Sequence, residues 1–526
     1  GREGPPAPWA RRLGCFAALA LLGGCALAPA AAAAEVFAEL VQSSDGPGVH
    51  ERLVRKPDVR LLPDSHQWSG PTVHVTPAPD QEILGFGGAF TEAAALMFQR
   101  MAPTAREQLL EDYFGADGFG FTLGRVPINS CDFSPKSYSF DDVPGDFGLE
   151  HFDRNVTHDT EAMIPFIRAA MDRVERSGKQ LRLIAAPWSP PGWMKENGRM
   201  DGRGRAFLLP EARQTWANYI SMWITAYAKH GVPIWAITPQ NEPEIYALWE
   251  GCVYNASQEM AWVAENLGPM LRANHPDVQL FVFDHNKDHV YEWAQAAYSH
   301  PRLSSLVSGV AFHWYAGDYF DQVQRVHANF PRATLLATEA TYERYRWRNG
   351  TDVTTGDWDF GLGYAHDMIG DFNAGASGWI TWNLVLDMQG GPNHANNVCD
   401  PVMLSDLQVL YRHPQLYAMA HFSKFVPPGS RRLFTRVERS TSYSGPPRPY
   451  GTCTADDGLQ AAAFSRPDGR TAVVVLNCGG QPIDFKLHRR QFNDAAIVSI
   501  PAYAIQTWLL PSAAEVGVAA ADPSFV

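Results

Sequence analysis

Apolar residues recur along the chain with two different periods, and the changes of period divide it into three stretches. Within 49–76 short pieces alternate apolar and polar, most clearly in Thr72-Val73-His74-Val75-Thr76, which predicts a layer of strands. From Ile83 a different unit begins and repeats: an apolar run of strand length, a polar loop, then residues at helical spacing. The runs are 83–90, 121–127, 181–187, 234–238, 278–283, 306–312, 333–338 and 377–382. Between them, 211–229 puts Trp216, Tyr219, Ile220, Trp223 and Tyr227 on one helical face, and 259–273 is a second clear helix. Such alternation predicts a parallel sheet, and eight units close most naturally into a (β/α)8 barrel. A doubly wound open sheet also fits, but neither a G-x-G-x-x-G after the first strand nor a P-loop draws the fold toward nucleotides. Past about His421 the helical period ends. Apolar pieces at 461–464, 471–477, 483–487 and 504–509 are separated by turn residues such as Pro467-Asp468-Gly469 and Gly479-Gly480, an all-β tail expected to form a sandwich with the N-terminal strands. The expected divisions are a signal peptide at 1–34, N-terminal sandwich strands at 35–77, the barrel at 78–420 and the C-terminal sandwich at 421–526.

With 526 residues, 45% of them hydrophobic and 19% charged, the chain has room for a barrel of about 250–400 residues and a smaller module, each with its own core. The formal charge is −13 and no basic stripe interrupts it, which argues against nucleic acid as a partner. Aromatics make up 12%, with 16 Trp. Their flat faces suit sugar rings, although most belong to the core. Arg11-Arg12, the apolar run from Leu13 to Leu22 and the Ala-rich stretch to Ala34 match the three regions of a secretory leader, so the mature chain is expected to begin near Glu35. Leu22-Gly23-Gly24-Cys25 also fits a lipoprotein box. No later segment reaches the ~18 consecutive apolar residues of a membrane span. The mature chain is therefore expected without a transmembrane segment, secreted or lysosomal, at most peripheral at a membrane surface. Beyond the leader, Cys131, Cys252, Cys399, Cys453 and Cys478 are odd in number and lack C-x-x-C spacing, which permits at most two disulfides and gives no zinc motif. Sequons at Asn155, Asn255 and Asn349 would accept glycans on a secreted chain.

In a (β/α)8 barrel chemistry gathers where strands end, and here those ends are polar. Arg125 and Asp132 follow the second run, Trp188 the third, Asn241 and Glu242 the fourth, Asp284, His285 and Asn286 the fifth, and His313, Trp314 and Tyr315 the sixth. Glu339 follows the seventh run, and Trp382 with Asn383 the eighth. Glu242 and Glu339 lie roughly three βα repeats apart, which sets them across the barrel mouth from one another. A glycosidase needs such a pair: one acid protonates the leaving oxygen while the other attacks the sugar carbon or activates water. Each alone reads equally as a salt-bridge or capping acid; together at strand ends they read as catalytic. Asn241 could hold a sugar hydroxyl or orient Glu242, Tyr315 could bond the nucleophile, and His313 a hydroxyl. Asp132 could accept from two neighbouring hydroxyls or form an Asx-turn. Arg125 needs a carboxylate partner if buried. His285 and His289 have i,i+4 spacing but no third ligand in reach, so they read as helix-start histidines, and neither metal nor organic cofactor is expected.

Several ordered strings add a resemblance. They are Gly85-Phe86-Gly87-Gly88-Ala89-Phe90-Thr91-Glu92, Arg125-Val126-Pro127, Ser130-Cys131-Asp132-Phe133-Ser134, the run from Ala186 to Lys195, Asn241-Glu242-Pro243, His313-Trp314-Tyr315, Thr338-Glu339-Ala340, Trp382-Asn383-Leu384 and Gly390-Gly391-Pro392-Asn393. From about residue 75 to 510 the chain resembles the acid β-glucosidase family, lysosomal glucosylceramidase and its bacterial relatives. The resemblance implies a retaining β-glucosidase with a barrel and an attached β-sandwich, in which Glu339 matches the nucleophile and Glu242 the acid/base. It also implies that Arg125, Asp132, Trp188, Asn241, His313, Tyr315, Trp382 and Asn393 surround the glucose or support the two acids. The expected substrate is glucosylceramide or another β-glucoside, with room for an activator protein or lipid surface to present it. His394 stands where the animal enzyme has Trp, and the loop 244–253 is shorter and different, so the match is closer at the glucose end than at the aglycone end. The alternatives are a related glycanase using the same acids on xylan or β-1,6-glucan, and a catalytically silent carbohydrate-binding barrel.

Overall fold

The computed structural model describes residues 35–46, 48–65, 67–343 and 352–516; the expected leader and the Asn349 sequon lie outside them. The described residues begin with three strands, β1 (Val36–Ser44), β2 (Glu51–Pro63) and β3 (Thr72–Glu82), and then enter the repeating unit. β4 (Gly85–Ala89), β5 (Leu123–Ile128), β6 (Arg182–Pro187), β7 (Ala236–Ile237), β8 (Gln279–Asn286), β9 (Gly309–His313), β10 (Thr334–Glu339) and β11 (Ala376–Asn383) pair in parallel and close, β11 returning to β4. This is the (β/α)8 barrel that the eight apolar runs predict. Leu123, Ile184, Ala236, Phe281, Ala311, Leu336 and Ile380 form a buried cluster of strand side chains that fills the barrel, while helices cover the outside. In helix Arg213–Lys229 the predicted stripe of Trp216, Tyr219, Ile220, Trp223 and Tyr227 is buried. Gly87 allows β4 and β5 to approach, since a Cβ there would stand 1.8 Å from the Leu123 carbonyl oxygen.

A small sheet of β12 (Leu386–Asp387), β13 (Met403–Ser405) and β14 (Leu410–Arg412) follows the barrel. The remaining strands are β15 (Arg431–Glu438), β16 (Leu459–Ser465), β17 (Thr471–Asn477), β18 (Ile483–Arg489), β19 (Asp494–Ile500) and β20 (Ala504–Leu510). They join β1–β3 in one closed sheet, with β1 paired to both β2 and β20. Strands from before and after the barrel thus build the all-β module, around a core that includes Val73, Val75, Val473, Val475, Phe485 and Trp508. The helix Pro414–Ser423 joins barrel and module through buried His421, whose Nδ1 lies 2.8 Å from Thr507 Oγ1 and Nε2 2.9 Å from Ser43 Oγ. Burial depresses this imidazole to about 3, so it bridges the two parts as a neutral ring.

The predicted helix at 259–273 is not continuous. It runs Ala256–Trp262, widens into a π turn at Val263–Leu267 and resumes at Gly268–Asn274. Pro269 has no N–H to give to the preceding turn, and the helix relieves this by taking in one extra residue.

Candidate active site

Arg125, on β5, is fully buried at the centre of the strand ends. Its Nη1 donates to Glu339, and its Nη2 donates to Asn241 Oδ1 at 2.7 Å and to Asp284 Oδ2 at 2.8 Å. Trp188 and Trp382 stack on each other at 5.2 Å and turn their faces to the guanidinium, at 4.7 and 5.5 Å. Both indoles are 2% exposed, so they brace Arg125 more than they offer open sugar platforms.

Asp284 gathers the rest. Besides Arg125 it accepts hydrogen bonds from Thr238 (2.7 Å), Thr338 (2.6 Å) and His313 Nε2 (3.0 Å). Burial raises its pKa, but Arg125 and His313 outweigh burial and hold it below the ordinary carboxylate range. Its position depends on a bulge in β8. Phe283 and Asp284 both have positive φ, 79° and 61°, and the register against β9 slips there. The bulge is held on two sides: the Phe283 N–H donates to buried Glu259 at 3.2 Å, and the Asp284 carbonyl accepts the Glu242 N–H at 3.0 Å. Glu242 itself has φ 48°, a strained value for a non-glycine residue of the kind found at functional sites.

His313 therefore lies between two carboxylates, Nε2 on Asp284 and Nδ1 3.2 Å from Glu242 Oε1. Burial lowers its pKa, but the Glu339 charge and the bonds to Asp284 and Glu242 raise it to about 9. Glu339 accepts from Arg125 and, at 2.9 Å, from the Tyr315 hydroxyl, while the Tyr315 N–H is fixed by Asn286 Oδ1 at 3.0 Å. The two acids are biased in opposite directions. Burial raises Glu242, but the His313 hydrogen bond and the charges of His285, His313 and Arg125 bring it below its ordinary value. Burial and the Glu242 charge lift Glu339 against the pull of His313 and Arg125.

Asp132 is buried, with Oδ2 accepting from Asn397 Nδ2 at 2.8 Å and Oδ1 without a protein partner. Burial, only partly offset by Asn397, lifts it to about 8. Asn393 does not join it. Its Nδ2 donates to the Asn397 carbonyl at 3.1 Å, so it shapes the loop, and Asn397 is the residue that meets Asp132. Gln240 Nε2 donates to the Trp188 carbonyl at 2.6 Å and locks the turn before Asn241. Asp284, Asn397, Thr238, Thr338 and Gln240 are thus missing from the set named from sequence, although Asp284 stands in the strand-end pattern.

The histidine pair separates: exposed His289 bonds Glu244 at 2.9 Å, while buried His285 points Nδ1 toward Glu242 at 3.8 Å. Glu242, His285 and His313 offer ligand atoms within 4.8 Å of one another. A cation would have to displace the proton that two carboxylates hold on His313, with the Arg125 guanidinium 3.5 Å from its Nε2, so the set is poorly suited to a metal.

A closed parallel barrel that carries two buried carboxylates at its strand ends, each held by different partners, has the architecture of a (β/α)8 glycosidase. The chain belongs to glycosyl hydrolase family 30: residues 83–426 match the family 30 TIM-barrel domain and residues 429–508 the family 30 beta sandwich domain. It is 34% identical over 442 residues to the lysosomal acid glucosylceramidase of Mus musculus, covering 82% of this chain and 81% of the mouse protein. It is 28% identical over 454 residues to the endo-1,6-beta-D-glucanase neg1 of Aspergillus fumigatus, covering 82% and 86%. The crystal structure of SrfJ from Salmonella typhimurium superposes with a TM-score of 0.79 at 31% identity, covering 90% of this chain and 100% of that one.

Proposed function

We propose that this glycosidase is a retaining β-glucosidase that cleaves glucosylceramide to glucose and ceramide by double displacement. The observation that carries this is the unlike support of the two acids, a cation and a phenol on Glu339 and an imidazole on Glu242. Glu339, charged beside Arg125, attacks the anomeric carbon as the glycosidic C–O bond breaks, and Glu242 gives its proton to the departing oxygen. Glu242 then takes a proton from water, which attacks the same carbon, releases Glu339 and yields β-glucose.

The bias of the two acids is the reverse of what this sequence needs, and the His313–Glu242 hydrogen bond is the route by which Glu242 receives the proton it must carry. Its proton moves from Nδ1 to Oε1, leaving a neutral imidazole that still donates from Nε2 to Asp284. Glu242 is then a neutral acid; Glu339 loses the Glu242 repulsion and the His313 pull together, and its hydrogen bonds from Arg125 and Tyr315 are what favour its charged form. Asp132, Asn397 and Asn241 are assigned to the glucose, and the tryptophan pair to the support of Arg125.

For the aglycone, the support is the mouse relative together with the loop that follows Glu242, which carries exposed apolar side chains, Tyr246 at 56% and Leu248 at 71%. Among the described residues no helix is long and apolar enough to cross a membrane. An activator protein or lipid surface at that loop, and a secretory or lysosomal destination, belong to the same proposal. The test compares purified protein on glucosylceramide in detergent micelles and on β-1,6-glucan. Glucosylceramide turnover supports the assignment; turnover of the glucan alone favours the endo-glucanase activity named for the Aspergillus relative. Tyr246→Ser with Leu248→Ser should lower hydrolysis of the lipid about 10-fold or more and leave a water-soluble aryl β-glucoside within about 2-fold, because only the lipid needs an apolar landing.

A further inference from the structure

The loop between β15 and β16, residues 439–458, leaves the all-β module and reaches the barrel beside Tyr315. Two tethers hold it there, and a disulfide fixes it to the module. Arg448 Nε donates to Asp318 of the barrel at 3.1 Å, and its Nη1 and Nη2 donate to Asp457 at 3.0 and 2.8 Å. The Tyr342 hydroxyl donates to the Gly451 carbonyl at 3.0 Å. Cys453 is disulfide-bonded to Cys478, at the end of β17. The barrel side is shaped to receive the loop: at Gly317, φ 119°, a Cβ would stand 2.1 Å from the Arg448 carbonyl oxygen. Between these tethers Tyr450 lies 5.0 Å from the Trp314 ring and 5.6 Å edge-on to the Tyr315 ring.

We propose that Tyr450 is a positioning residue for the reaction: the tethered loop presses its ring against Tyr315 and so holds the Tyr315 hydroxyl on Glu339. The inference rests on the function proposed above, with Glu339 as nucleophile. It gives the β-module a part in catalysis, since the loop comes from the module and the hydroxyl it steadies belongs to the barrel. Tyr315 carries its hydroxyl at the far end of a partly exposed side chain, so a small tilt of the ring breaks the 2.9 Å bond to Glu339.

A double-mutant cycle on an aryl β-glucoside tests this. Tyr315→Phe should lower kcat by roughly 10- to 100-fold, as for the loss of one preorganised donor. Tyr450→Ala should lower kcat by roughly 5- to 30-fold with KM within about 3-fold, and Tyr450→Phe, which keeps the ring, should stay within about 2-fold of the parent. In both Tyr315→Phe and Tyr450→Ala the acidic limb of the pH profile should move to higher pH, because Glu339 loses a bond to its charged form. The decisive result is non-additivity: Tyr450→Ala should cost nothing further in the Tyr315→Phe background. Losses that multiply, an unchanged kcat in Tyr450→Ala, or a Tyr450→Phe as damaged as Tyr450→Ala would overturn the inference. If Tyr450→Ala does not fold, Arg448→Gln, which loosens the loop from Asp318, carries the same expectation in the same cycle. Glu339→Gln separates the two levels: full activity there removes the proposed function, whereas an inactive Glu339→Gln with multiplying losses removes only the part given to Tyr450.

Discussion

Arg125 and Asp284 meet in full burial, where an ion left without its partner costs several kcal/mol. Asp284→Asn keeps the shape but leaves Arg125 undercompensated and turns one acceptor oxygen into a donor, facing either Arg125 and Thr238 or Thr338 and His313. Urea unfolding should show a loss of about 3–5 kcal/mol, and kcat should fall with it. Asp132 behaves differently. Its folded pKa of about 8 lies far above that of an unfolded Asp, so the stability it contributes is whole below about pH 4 and is lost as pH rises toward about 8. Asp132→Asn should therefore match the parent in melting temperature at pH 4 and exceed it at pH 8, while losing most glucoside turnover; a difference that does not grow with pH contradicts this. These two residues also mark what sequence reveals at this scale. Asp132 and the pair Glu242 and Glu339 stand in recognisable strings at strand ends. Asp284 stands at a strand end too, but its role as hub depends on a bulge that periodicity does not report. The Gly390-Gly391-Pro392-Asn393 string points to Asn393, but the turn of the backbone brings Asn397, four residues on, to Asp132.

The bulge in β8 is the element on which the site rests, and Glu259 supports it from a neighbouring helix. Burial lifts the Glu259 carboxyl well above the ordinary range, and one of its oxygens accepts the Phe283 N–H. Glu259→Ala leaves that N–H buried and unpaired, at a cost of about 1–3 kcal/mol by denaturant unfolding. Because the Glu242 N–H bonds the Asp284 carbonyl, kcat should fall as well, and Glu259→Gln should recover most of both. The eight strands and the helix stripes were legible from apolar period alone, since burial on both faces leaves little room for polar residues in a barrel strand. The π turn at Val263–Leu267 and the glutamate beneath the bulge were not: one answers to a single proline, the other to a contact between elements distant in sequence.

At the scale of the whole molecule, barrel and module share the helix Pro414–Ser423, neutral His421 and the tethered loop 439–458. An odd count of cysteines left every pairing open; the fold brings the Cα atoms of Cys453 and Cys478 to 5.8 Å and joins residues 25 apart. A closure of this length is worth about 3 kcal/mol, so Cys453→Ser with Cys478→Ser should unfold at lower urea by that amount. The all-β module shared by N- and C-terminal strands was legible from the alternation near Val73 and in the tail, but the closure of its sheet and the loop that returns to the barrel were not, because register and a turn-rich sequence carry no period. The central claim is that Glu339 and Glu242 divide the roles of nucleophile and acid/base, and the most direct measurement is azide rescue of Glu339→Ala and Glu242→Ala on an activated aryl β-glucoside, with the products resolved by NMR. Glu339→Ala should return α-glucosyl azide, by a single displacement, and Glu242→Ala should return β-glucosyl azide, by attack on the glucosyl-enzyme. The reverse assignment of anomers, or full activity in either variant without azide, would contradict it.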